Sequence, residues 1–159
     1  MNKLLFAALA CFALSCRSND HFIAESPMPS MSMLLVDSSA YSTDQLRPGR
    51  YTVIMYFRTD CSHCQQETAD LIKNYSALQD INIILLTPKP LKDVRQYAAF
   101  FKLDHYPHIQ AASDHRRQFW NYYQPANVPY LVVYDRQNRL YRICEGPLPV
   151  DSLIALNQL

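Results

Sequence analysis

Glycine is almost absent from this chain: Gly49 and Gly146 are the only two in 159 residues. No Gly-rich turn remains to bring backbone N–H groups around a phosphate, which excludes the nucleotide-binding loops built that way. An excess of either charge is also missing, with 15 basic and 14 acidic residues interspersed. A polyanionic partner such as nucleic acid is therefore not expected. The basic stretch "DHRRQ" (Asp114–Gln118) is too short to argue otherwise and reads as a solvated helix face. No internal repeat or low-complexity tract interrupts the chain. What is present is a globular composition, 49% hydrophobic and rich in Tyr and Phe, in a length that suits one domain with one sizeable core.

The N-terminus reads differently from the rest. Lys3 precedes an apolar run of eleven residues, Leu4–Leu14. That is short for a helix crossing ~30 Å of hydrocarbon but suits the core of a signal peptide. Leu14-Ser15-Cys16 follows, a small residue and then a cysteine, and the segment resembles a bacterial lipoprotein signal, with Ala13 where that family usually has Leu. The resemblance implies acylation at Cys16, loss of Cys11 with the signal, and a lipid anchor at a bacterial membrane facing the periplasm; ordinary secretion with cleavage nearby is the alternative. Such an envelope is an oxidising compartment, in which cysteines need a reason to be present. Residues 17–32 are polar, carry Pro27 and Pro29, and show no sustained period. They are expected to form a tether with a reach of roughly 20–25 Å, with a short N-terminal strand within it as the alternative. The expected organisation is thus a signal over 1–16, a tether over 17–32, and one folded domain over 33–159.

Within that domain, strands and helices alternate. Met33–Asp37 reads as a short strand, and the segment after it as a helical turn and a Pro-Gly turn. "YTVIMYF" (Tyr51–Phe57) and "INIILLT" (Ile81–Thr87) are apolar and uncharged enough to be strands buried on both faces. After the first, Cys64, Thr68, Leu71, Tyr75 and Leu78 recur at helical spacing; after the second, Leu91, Val94, Ala98 and Phe101 do, with Pro90 suited to the first turn. "HIQAAS" is a candidate strand, "DHRRQFWNYYQ" a helix, "PYLVVYD" and "LYRIC" a hairpin, and "VDSLIALNQL" a closing helix. This order predicts an α/β fold, a central mixed sheet covered by helices on both faces.

The chemistry concentrates in "RTDCSHCQQETADL" (Arg58–Leu71), where Cys61 and Cys64 stand two residues apart at the mouth of a helix. A thiol at a helix N-terminus faces unpaired N–H groups and the positive end of the helix dipole, so it ionises more easily. A partner three residues on can close a disulfide with it, or resolve a mixed disulfide with a substrate. Spacing alone leaves open which sulfur attacks. His63, between them, would stabilise a thiolate if cationic, or pair with Glu67 at i,i+4. Glu67, one turn beyond Cys64, is either a proton carrier for the deeper thiol or a solvent-facing helix residue. Zinc would need about four ligands where one C-x-x-C offers two, and His105, His108 and His115 supply no matching spacing. Copper handling, or a non-catalytic module with a structural disulfide, stays open as an alternative.

"YFRTDCSHCQQE" (Tyr56–Glu67) followed by "NVPYLVVYD" (Asn127–Asp135) resembles the thioredoxin superfamily, and within it the envelope redoxins of the TlpA and ResA kind. The resemblance runs from about Met33 to the C-terminus and implies a thioredoxin-like fold, with a strand-helix insertion ahead of a cis-proline at Pro129. It also implies Cys61 as attacking thiol, Cys64 as resolving thiol, a redox-active Cys61–Cys64 disulfide, Glu67 as a conserved acid of the group, and Val128 offering its backbone to an extended substrate. The implied partners are protein thiols and disulfides, a membrane-anchored redox partner among them, with no bound cofactor and no metal. Two positions depart from the pattern. Asp60 stands where the family usually has Trp, and its charge opposes a thiolate at Cys61. Met55 replaces a buried acid, leaving Glu67 as the main proton carrier. The subgroup is reductive while the Cys-x-His-Cys order leans toward an oxidant or isomerase; reduction is the expected direction. Cys144 is read as an inert strand cysteine on a half-exposed face, with a secondary redox role as the alternative. Phe119, Trp120, Tyr122 and Tyr123 are read as core packing, or as walls of a substrate groove.

Overall fold

Strand β3 (Tyr51–Tyr56) is buried at every position, as its run of β-branched and aromatic residues demands. The computed structural model describes residues 25–46 and 48–158, so Cys11, Cys16, the expected signal and residues 17–24 lie outside the described residues. Beside β3 runs β4 (Ile81–Thr87), parallel to it, and beyond β4 the parallel β5 (Ile109–Ser113). On the other side lie β6 (Tyr130–Tyr134) and β7 (Leu140–Glu145), each antiparallel to its neighbour. A hairpin of β1 (Ser32–Leu35) and β2 (Ala40–Ser42) completes seven strands in the order β2-β1-β5-β4-β3-β6-β7.

Successive strand residues point to opposite faces, and this period of two divides the core. Val53, Met55, Phe57, Ile83, Leu85 and Leu131 face one side. There they meet helices α1 (Ser62–Lys73), α2 (Leu91–Phe100) and α4 (Val150–Ile154), through Leu71, Val94 and Leu153 among others. Ile54, Tyr56, Ile84, Leu86 and Val132 face the other side, packing on α3 (Gln118–Tyr123) and on Met31 and Met33. Between α1 and Pro129 the chain inserts α2, β5 and α3, so the strand-helix insertion is present and the fold is thioredoxin-like, with a mixed sheet flanked by helices.

Several boundaries differ from the sequence expectation. Residues 25–32, the end of the expected tether, already lie on the domain. The N–H groups of Glu25 and Met28 donate to the carbonyls of Leu140 and Asn138 at 2.9 Å each, and Met31 is buried. Met28 and Met31 pack on the core, Pro27 pairs with Arg139 in an isolated bridge, and the Pro29 carbonyl accepts the Thr43 hydroxyl at 2.7 Å. The three-residue β2 was not anticipated, being too short and polar to show alternation. The helix expected over 114–124 shrinks to six residues because Arg117 takes a left-handed φ of 53°. Buried Asp114 reaches past it, its carboxylate accepting the N–H groups of Gln118 (2.8 Å) and Trp120 (3.2 Å). Cys144 is buried in the core beneath β7, not half-exposed. The reason is a register shift between Val133 and Tyr134 that leaves Tyr141 and Arg142 both outward, after which Ile143 and Cys144 are both covered.

Candidate active site

The chain leaves β3 at Phe57, whose N–H still donates to Leu86 in the sheet at 2.9 Å. Arg58, Thr59 and Asp60 turn it, closed by the Cys61 N–H donating to the Arg58 carbonyl at 3.2 Å. Cys61 has extended backbone angles and is the N-cap of α1. Ser, Thr, Asp or Asn usually fill that position, because a side-chain acceptor there satisfies a first-turn N–H. Here the acceptor is sulfur: Cys61 Sγ receives the N–H of Cys64 at 3.2 Å. The geometry that makes a good cap is the one that presents a donor to a sulfur anion.

Cys64 lies one turn deeper and is fully buried, while Cys61 is half-buried. Both are thiols in this structure. Burial, together with the hydrogen bond to Cys61, pushes the Cys64 thiol up to about 12. On the open side, Cys61 Sγ stands 3.8 Å from the Val128 carbonyl. The Val128–Pro129 bond is cis, and the Pro129 carbonyl accepts the Gly146 N–H at 2.8 Å, tying this corner to the end of β7. Cys61, Cys64, Val128 and Pro129 are therefore brought together from segments 67 residues apart.

Glu67 joins them from below. It is only 6% exposed, so the solvent-facing alternative does not hold. Its two carboxylate oxygens each accept the Leu148 N–H at 3.3 Å, too long to offset the lost hydration. Burial accordingly pushes its carboxyl up to about 7, opposed by the Leu148 N–H and helped by the charge of Asp70. A carboxyl that changes ionisation near neutral pH, one helical turn from a buried thiol, can accept that thiol's proton. His63 is exposed, and among the described residues no ion pair joins it to Glu67.

Asp60, the departure beside Cys61, does not act as a lone charge. Arg58 grips it in a bidentate pair, Nε to Oδ1 at 3.1 Å and Nη2 to Oδ2 at 2.8 Å. That pair holds the Asp60 carboxyl below its usual value. Met55 is buried in β3, where no acid is available to the cysteines.

Three contributors were missed in the sequence. Tyr97 of α2 packs on Phe57 at 4.5 Å between ring centres, and its hydroxyl meets Thr68 Oγ1 at 2.8 Å and the Cys64 carbonyl at 3.4 Å. It lies three residues after Val94, on the apolar stripe, and that spacing could have found it. Arg58 was legible only as a charge near the pair. Leu148, 81 residues from Glu67, left no sequence signal. Of the aromatic group, Phe119 and Tyr123 are core residues, while Trp120 and Tyr122 are partly exposed. Among the described residues no group of three or more His, Cys, Asp or Glu is placed to share a metal ion, and no helix is long and apolar enough to cross a membrane.

A seven-stranded mixed sheet, with a dithiol at the start of its first long helix and a cis-proline opening the adjacent strand, defines a protein of thioredoxin type. The chain belongs to the Thioredoxin-like family, whose sequence model matches residues 49–140. No curated protein matches it. Among solved structures it is similar to StoA from Bacillus subtilis, with TM-score 0.65 at 14% identity over 84% of this chain and 98% of that one. It is similar to a secreted Mycobacterium tuberculosis disulfide oxidoreductase homologous to E. coli DsbE (TM-score 0.66, 13% identity, 81% and 96% covered). It is also similar to the thioredoxin domain of a Bacteroides vulgatus thiol-disulfide oxidoreductase (TM-score 0.67, 17% identity, 86% and 96% covered). At these identities the likeness establishes the fold.

Proposed function

We propose that this protein is a thiol-disulfide oxidoreductase that reduces disulfides of protein substrates. The observation that carries the reading is the placement of Cys61 Sγ, half-buried on the Cys64 N–H and 3.8 Å from the Val128 carbonyl, with the second thiol directly beneath. As a thiolate, Cys61 attacks one sulfur of the substrate disulfide; that S–S bond breaks, a mixed disulfide forms, and the departing sulfur takes a proton. Cys64 then gives its proton to Glu67 and attacks Cys61 Sγ, releasing the second substrate thiol. Two electrons have passed to the substrate and the protein holds a Cys61–Cys64 disulfide, which a partner dithiol must reduce. Val128 presents main chain beside the reacting sulfurs, where an extended substrate segment pairs as an added strand.

The reductive direction is supported by the buried Cys64. A dithiol whose anion is costly is a poor oxidant, since strong oxidants owe their potential to a stabilised reduced form. For the setting we propose the bacterial envelope, with Cys16 acylated and the domain held at the membrane, on the evidence of the Lys3–Cys16 sequence.

The test compares wild type, Cys61→Ser and Cys64→Ser in reducing a disulfide-bonded protein. Cys61→Ser should be inactive, and Cys64→Ser should accumulate a mixed disulfide visible on non-reducing gels. Full activity in Cys61→Ser overturns the assignment. Equilibration with glutathione fixes direction: a value near about −270 mV agrees with a reductant, and one near about −120 mV refutes it.

A further inference from the structure

A groove of about 240 Å³ opens between α1 and α2, with Thr59 and Gln65 on one side and Gln96, Tyr97 and Phe100 on the other. Neither cysteine lines it, but its walls are tied to the main chain of both. The Gln65 N–H donates to the Cys61 carbonyl at 3.0 Å, and Gln65 Nε2 donates to the Thr59 carbonyl at 2.8 Å, which fixes the near rim. Tyr97 forms the far wall, and its hydroxyl lies 3.4 Å from the Cys64 carbonyl. From there the wall is aromatic: Tyr97 meets Phe101 at 4.8 Å between ring centres, and Phe101 meets Phe100 edge-on at 4.9 Å. Phe100 is 76% exposed, more than any other large hydrophobic residue described. Nothing in the packing of α2 requires it, since the buried face of that helix is carried by Val94 and Tyr97.

We propose that this groove is a specificity subsite of the exchange reaction, receiving an aromatic or large aliphatic side chain that neighbours the substrate's disulfide-bonded cysteine. The inference rests on the oxidoreductase reading above and adds the substrate class. Thr59 and Gln65 flank Cys61 in the chain, so a side chain next to a cysteine joined to Cys61 is the part of the substrate we assign to the groove. The aromatic wall suits an apolar group, and the amides of Gln65 and Gln96 and the carboxylate of Asp93 give the polar rim expected around a small recognition pocket. Anchors of this kind, a ring seated on rings at the centre of a contact, carry a large share of binding in protein complexes.

The experiment measures kcat/KM for three oxidants of the reduced protein. One is a disulfide-bonded peptide with Phe beside the cysteine, the second is the same peptide with Ser there, and the third is oxidised glutathione. Wild type should prefer the Phe peptide by about tenfold. Phe100→Glu should remove that preference and leave the glutathione rate unchanged; Phe100→Ala should reduce it. Absence of preference in wild type, or its persistence in Phe100→Glu, overturns the subsite while leaving the exchange reading standing. If wild type reacts with none of the three and forms no mixed disulfide as Cys64→Ser, both fall.

Discussion

Replacing Glu67 by Gln should make the reduced protein more stable at alkaline pH and change its stability little in acid. The magnitude follows from the burial of this carboxyl. In the unfolded chain it ionises near 4.5, and in the fold it is held up to about 7. A native state that binds the proton more tightly than the unfolded state loses stability as pH rises between those two values. The contribution is therefore fully present below 4.5, falls through pH 5 and 6, and is gone above 7, a difference of about 3 kcal/mol in all. Glutamine cannot ionise, and its carbonyl still accepts the Leu148 N–H, so Glu67→Gln escapes the fall. Its amide N–H₂ adds a cost of its own in a buried place, but one that does not vary with pH. The difference curve between the two proteins isolates the carboxyl from every other titrating group. Urea unfolding under reducing conditions at pH 4.5 to 9 measures it, followed through the single tryptophan, Trp120, whose ring lies 6.2 Å from Tyr56. The gap should widen by roughly 3 kcal/mol from pH 4.5 to 8 and then stay constant. A gap that stays flat across this range would refute the reasoning, because a carboxyl with an ordinary ionisation cannot bend the curve there. The same variant should release substrate from the mixed disulfide about 10²-fold more slowly at neutral pH, with the first attack by Cys61 unaffected, as rapid-quench gels would resolve.

Tyr97→Phe removes the hydroxyl that Thr68 and the Cys64 carbonyl share, yet Thr68 keeps its own 3.0 Å bond to that carbonyl. A loss of about 1 kcal/mol in urea unfolding is expected, and a loss above roughly 3 kcal/mol would mean that the ring contact with Phe57, not the hydroxyl, had been disturbed. Asp60→Asn leaves the Arg58 guanidinium without its ion pair beside Cys61 and removes the acid next to Cys61 in the chain. Iodoacetamide should then react with Cys61 about two- to fivefold faster at pH 7 in low salt, and the gain should shrink in 1 M salt; an unchanged rate would show that the Arg58–Asp60 pair is electrically silent at the sulfur.

How much of this was legible without coordinates depended on the range of the interaction. The strands β3 and β4 carry their burial in their own composition, since uncharged runs this rich in β-branched and apolar residues have no other stable place than the middle of a covered sheet. The dithiol was legible for the same reason. Helix start, cap position and the spacing of two thiols are all set within four residues. The short β2 and the shortened α3 were not, because a three-residue edge strand has too few side chains to show a period, and the length of α3 depends on the conformation of one residue, Arg117. Cys144 was misplaced because strict alternation along β7 fails at the shift opposite Val133 and Tyr134, which no period of two can announce.

The state of Glu67 shows where local reading stops. Helical spacing put it one turn below Cys64, and both a buried proton carrier and a solvated surface residue fit that spacing equally. What separates them is the segment ahead of α4, which covers the carboxyl and donates one long N–H bond from 81 residues away. The surface of α1 is therefore completed by the end of the chain, and a carboxyl that would ionise as usual on an isolated helix becomes one that holds its proton up to about 7. Deep burial acts on Cys64 in the same sense, raising its thiol to about 12, so at neutral pH the thiol holds its proton while the carboxyl is ionised in part. Loosening the Leu148 contact would hydrate the carboxyl and bring its value down toward 4.5.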